Sequence, residues 1–89
     1  MTTKVEQLLD QVTQAQVLGR SVLTSSGLTE DGIIYVFATA EVLVINCQTL
    51  STVWRVDDQH WKLRQAIAQL KLPITKICIE HAGKILYYL

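Results

Sequence analysis

The stretch IIYVFATAEVLVINCQTLSTVWRV, residues Ile33 to Val56, is the most apolar part of the chain and decides its fold class. Ile33 to Phe37 are branched or aromatic, and such side chains fit a pleated backbone. Asp31-Gly32 before them is turn chemistry. Val42 to Ile45 form a second run and Val53 to Val56 a third. Between these two lies Asn46-Cys47-Gln48-Thr49, where an Asn at the first position favours a hairpin. The link Ala38-Thr39-Ala40-Glu41 holds no Gly, Pro or Asn, so the first two runs read either as two strands or as one bent strand. The expectation is a three-stranded antiparallel meander. Ile33, Tyr35 and Phe37 point one way and Ile34, Val36 and Ala38 the other, so both faces are apolar. An antiparallel sheet with one wet face alternates apolar and polar residues. This pattern therefore predicts that both faces need cover.

Upstream, Thr3-Lys4-Val5-Glu6 has the spacing of a capping box. Val5, Leu8, Leu9 and Val12 follow at i, i+3, i+4 and i+7, one helical stripe that Ala15 and Leu18 extend. Gly19 suits the left-handed residue past a helix end. The prediction is a helix from Thr3 to Leu18 with a solvated face of Gln7, Gln11, Gln14 and Gln16, then a short strand at Arg20–Thr24. Ser25 to Gly32 reads as a polar surface loop; its Glu30 and Asp31 would repel a phosphate.

Downstream, Asp57 and Asp58 suit the N-cap of a second helix. Leu63, Ala66, Ile67 and Leu70 form its stripe, and Leu72-Pro73 ends it. Trp61, with Gln65, Ala68 and Leu72, falls on nearly the opposite side. Ile74 to Glu80 reads as a strand, Ala82-Gly83 as a tight turn, and Lys84 to Leu89 as a last strand. The fold predicted for residues 1–89 is therefore one α+β domain. It has a small antiparallel sheet, a three-stranded meander plus a C-terminal hairpin, with two helices packed on one face and the order α-β-β-β-α-β-β.

The 89 residues are 49% hydrophobic and 18% charged, against a usual charged share of about 25%. A small domain has much surface to cover, so this composition leaves apolar residues outside unless a partner covers them. Net charge is zero but unevenly spread. Residues 1–60 hold three cations against seven acids, and residues 61–89 hold five cations against one acid. No run reaches the roughly 18 apolar residues of a membrane span, and no signal-peptide core is visible. A cytoplasmic location with reduced Cys47 and Cys78 is the expectation. Both thiols sit among apolar residues and read as small core hydrophobes.

The chemistry-bearing residues are sparse. His60, His81, Cys47, Cys78, Asp57, Asp58 and Glu80 show no C-x-x-C or H-x-x-x-H spacing, so no metal, cofactor or catalytic site is predicted. Asp57-Asp58 and Glu30-Asp31 sit where caps and turns want carboxylates. The reading is a non-enzymatic interaction or regulatory module. It would act through homo-oligomerisation, as a dimer, and through another protein, with Trp61, Ala68, Leu72, Tyr87 and Leu89 as interface residues. The alternative is a small nucleic-acid-binding or regulatory subunit. It would use the basic C-terminal third: Lys62, Arg64 and Lys71, with Lys76 and Lys84.

Overall fold

The computed structural model describes residues 4–89. The elements run α1 (Lys4–Ser26), β1 (Ile33–Ala38), β2 (Val42–Cys47), α2 (Leu50–Asp58), α3 (His60–Gln69), β3 (Lys76–His81) and β4 (Lys84–Tyr88). The sheet order is β1-β2-β3-β4. It is an α+β fold, but the sheet is mixed rather than antiparallel throughout: β1–β2 and β3–β4 are antiparallel, and the central pair β2–β3 is parallel. Parallel neighbours need a long crossover, and residues 48–75 supply it through α2 and α3.

That crossover corrects the third strand of the expected meander. Val53 to Val56 lie in α2. Thr49 takes an extended backbone, and its hydroxyl accepts from the Thr52 amide at 3.2 Å, capping the helix. Val53 and Val56 are both buried against one core, at a helical spacing of three; a strand would send them to opposite faces. Packing here overrides β-propensity. Asp57 and Asp58 accordingly close α2 and do not cap the next helix; Gln59 is the cap residue of α3 and makes no side-chain cap bond. The stripe expected on α3 holds in part: Leu63, Ala66 and Ile67 are buried, whereas Leu70 is exposed. Among the described residues there are thus three helices, not two, and all contribute to one core, packed on the face of the sheet formed by Val36, Ala38, Leu43, Ile45, Cys47, Ile77 and Ile79.

The first two apolar runs are separate strands. Thr39 makes the turn without Gly or Asn: its hydroxyl accepts from the Glu41 and Val42 amides at 3.4 and 3.2 Å, while its own amide donates to the Val42 carbonyl at 2.9 Å. Ala82 and Gly83 form the last hairpin turn with φ of 52° and 78°, a pairing that matches strand twist. Register shifts leave Ile34 and Leu86 as extra residues on the two edge strands, bulges that bend edges away from further pairing.

The expectations for α1 need the largest correction. The capping-box residue Thr3 lies outside the described residues. The helix does not stop at Leu18; it runs through Gly19 and through the proposed strand Arg20–Thr24 to Ser26, and Gly27 takes the left-handed conformation instead, at φ 76°. Gly19 is buried inside the helix because α1 lies directly on the backbone of β1. A Cβ there would stand 2.6 Å from Phe37 Cα and 2.8 Å from Phe37 N and Val36 C.

Replacing an interior helical Gly by Ala ordinarily stabilises by up to about 1 kcal/mol. Gly19→Ala should instead destabilise by about 1–3 kcal/mol, because the new methyl meets backbone that cannot rotate away. Urea unfolding of the variant checks this. Unchanged or increased stability would show that α1 does not sit this close to β1.

Candidate interaction surfaces

The sheet has two unlike faces. One carries the core. On the other, cross-strand register aligns Phe37, Val44, Cys78 and Tyr88 in one row, and Tyr35, Asn46, Glu80 and Ile85 in the next. No helix joins a core on this second face among the described residues. Its central small residues are nonetheless buried: Val44, Asn46 and Cys78. The residues flanking them in these rows are mostly rings. Tyr35 and Phe37 stack with centroids 5.5 Å apart. The Tyr35 hydroxyl donates to Glu80 across two strands, and Asn46 Oδ1 accepts from the Gly83 amide at 3.1 Å.

Against the β1 edge of this face lies a groove of about 540 Å³. Leu8, Val12 and Ala15 of α1 form one wall, and Tyr35 and Phe37 form the other. None of the described residues that line it is charged. The stripe read as the buried face of α1 runs into this groove and out into solvent. Every residue from 4 to 14 is exposed, with Val5 66%, Leu8 60%, Leu9 62% and Val12 54%. The core is met only further along, by Leu18, Val22 and Leu23. One signal in the sequence could have revealed this. Leu8, Val12, Ala15, Gly19 and Val22 form a single stripe across the whole helix, longer than one short strand can cover. The exposure of Trp54, at 77%, was also missed, because its segment read as a strand.

The five interface residues chosen from the sequence divide. Trp61, 56% exposed, and Ala68 face solvent on α3. Leu72, Tyr87 and Leu89 are half-buried and pack against the domain's own core. Tyr87 also donates to Asp57 Oδ2 at 2.9 Å, tying β4 to the end of α2.

The basic residues are partly committed as well. Arg64 donates to the Thr75 and Leu89 carbonyls, each at 2.8 Å, clamping the last residue of the chain. Lys62 donates to Gln59 at 2.9 Å and lies 5.7 Å from the centre of the Trp61 ring. Lys71, Lys76 and Lys84 are exposed.

The thiols lie on opposite faces of the sheet. Cys47 faces the core as the register partner of His81, while Cys78 lies on the other face. Both are free. Burial pushes both thiols up, and Glu80 adds to the effect at Cys78. Thiolate is the nucleophile, so neither site activates its sulfur. The His60 ring nitrogen Nδ1 lies 2.7 Å from the Asp57 carbonyl. No group of three or more His, Cys, Asp or Glu able to hold a metal occurs among the described residues. No helix of these residues is long and apolar enough to cross a membrane. No family model, no curated protein and no solved structure matches the chain.

Two phenols link the fold to pH. Tyr35 is pushed up to about 12, first by its hydrogen bond to Glu80 and then by burial. Tyr87 also reaches about 12, first through burial and then through Asp57. The folded state therefore favours the protonated phenol. Its contribution is complete below the unfolded value near 10 and is lost as pH rises toward 12. Melting temperature should fall less steeply between pH 10 and 12 in a Tyr35→Phe/Tyr87→Phe double variant than in the parent chain. Identical slopes would remove both residues from the alkaline transition.

Proposed function

We propose that this domain is a non-enzymatic association module that binds a second copy of itself and another protein. The observation that carries this reading is the uncovered apolar length of α1, from Val5 to Val12. A folded monomer of 10.0 kDa is expected to expose about 5,200 Å². This chain exposes 5824 Å². Its radius of gyration is 13.2 Å, against about 12 Å for a compact chain of this length. Val5, Leu8, Leu9 and Val12 of α1 are exposed apolar side chains, and contiguous exposed apolar surface marks interaction sites. The composition is consistent with it, since so few charged residues cannot cover so small a domain.

A catalytic reading has little to stand on. The buried thiols are held protonated, and the apolar groove brings no titratable pair together. The nucleic-acid reading loses Arg64 to backbone carbonyls. Trp61 and Ala68 on α3 and Trp54 on α2, each exposed, are the residues proposed to meet the other protein. Exposed Trp side chains are favoured anchors in such contacts.

Light scattering after size exclusion, over a range of protein concentrations, should give twice the 10.0 kDa mass of the chain. Apolar association should also hold as salt is raised, unlike phosphate binding. A monomer at the highest concentration would overturn self-association. Trp61→Ala should leave the assembled mass unchanged, because α1 carries the contact between copies. Dissociation in that variant would put Trp61 in the copy interface and overturn the division of surfaces.

A further inference from the structure

We infer that the occupant of the groove between α1 and β1 is the α1 arm of a second copy, in a two-fold arrangement in which each arm lies in the groove of the other. This rests on the self-association reading above and gives it a surface.

The argument begins with lengths. A helix of 23 residues spans about 34 Å. The six residues of β1 span about 20 Å. Gly19 pins the helix to the strand backbone at Val36 and Phe37, so the excess falls at the N-terminal end. The arm that results has two apolar surfaces. Leu8, Val12 and Ala15 form a wall of the groove. Val5 and Leu9, at i and i+4, form a ridge outside it, 66% and 62% exposed.

Ridge and groove therefore sit side by side on one element. A small apolar ligand in the groove would leave the ridge in water. A second arm covers both at once, because a two-fold axis places ridge on groove and groove on ridge in a single isologous contact. The chemistry of the lining agrees. It offers leucine, valine, alanine and aromatic carbon beside Gln11, Gln16 and Thr39, with no charge, which suits one side of an amphipathic helix and gives a phosphate or an acidic peptide no cation to pair with. The chain's zero net charge lets two copies approach without repulsion. The exposed apolar side chains of the arm, Val5, Leu8, Leu9 and Val12, supply the apolar centre around which an interface of roughly 800 Å² per partner is built.

The test is the oligomeric state of full-length Leu9→Asp and, separately, Val5→Asp, beside the unaltered chain and a control at the exposed Trp54, Trp54→Asp. Both arm residues are solvent-exposed in the single chain, so circular dichroism and thermal melting should report an intact sheet core. The unaltered chain and the Trp54 variant should be dimers. Each arm variant should dissociate at least 100-fold more readily. A dimeric parent whose arm variants remain dimeric would overturn this inference and leave self-association standing on another surface. A monomeric parent would overturn the self-association reading itself. Native mass spectrometry adds one more outcome: a monomer carrying an apolar small molecule would make the groove a ligand site and end the inference. Should Leu9→Asp fail to fold, Val5→Asp decides.

Discussion

The parallel pairing of β2 with β3 is the constraint on which the rest of the structure depends. Two adjacent strands that run the same way cannot be joined by a turn. Residues 48–75 must carry the chain back to the starting end, and they do so as α2 and α3. Those helices cover one face of the two central strands, where Leu43, Ile45, Cys47, Ile77 and Ile79 have no exposure at all. The antiparallel strands β1 and β4 then occupy the edges, each bent by one extra residue. The tie between Tyr87 and Asp57 and the clamp of Arg64 on Leu89 lock the end of the chain to that crossover.

Cover is therefore unequal between the two faces. Three helices serve one face. The other is protected by its own side chains. Large rings at Tyr35, Phe37 and Tyr88 share rows with small or polar residues at Val44, Asn46 and Cys78, and the small ones are buried among them. The hydrogen bond from Tyr35 to Glu80 bridges the middle of this face. It needs the phenol to keep its proton and the carboxylate to accept, which is why the phenol resists ionisation.

Much of this was legible in the chain. The four strands that exist were readable from branched and aromatic runs, and the last hairpin from Ala82-Gly83. The buried stripe of α3 at Leu63, Ala66 and Ile67 followed from its 3.6-residue period, as did the position of Trp61 off that stripe. The illegible parts have one cause in common: a local signal outvoted by long-range packing. Val53-Trp54-Arg55-Val56 has the composition of a strand, yet the crossover places Val53 and Val56 on a common core. Gly19 has the look of a helix end, yet it serves the close passage of α1 over Phe37. Val5, Leu8, Leu9 and Val12 have the spacing of a buried stripe, yet the sheet beneath them is too short. Periodicity reports that a stripe exists, not how much of it the chain's own sheet reaches. Leu72, Tyr87 and Leu89, read as interface residues, also pack in part against the domain's own core, because the sequence does not reveal that α3 and β4 share one side of the domain.

The arm raises a question of stability that the rest of the domain does not. Residues 4–14 are helical and all exposed, with Leu8 and Val12 only flanking the groove opposite Tyr35 and Phe37. A free helix of that length is marginal in water even for favourable sequences. This one contains Val5, Val12 and Thr13, whose branched side chains lower helix propensity. The Thr13 hydroxyl donates back to the Leu9 carbonyl at 2.9 Å, a bond that does little for helix stability. The C-terminal part of α1 offsets some of the cost, since nucleation is supplied by the packed turns around Gly19 and Val22. Propagation beyond them must be met by burial. In the proposed dimer that burial comes from the partner's groove, so helical order in the arm and occupancy of the groove become one equilibrium. Each copy then lowers the cost of ordering the other, and the same apolar side chains that make the arm unfavourable in isolation hold the pair together.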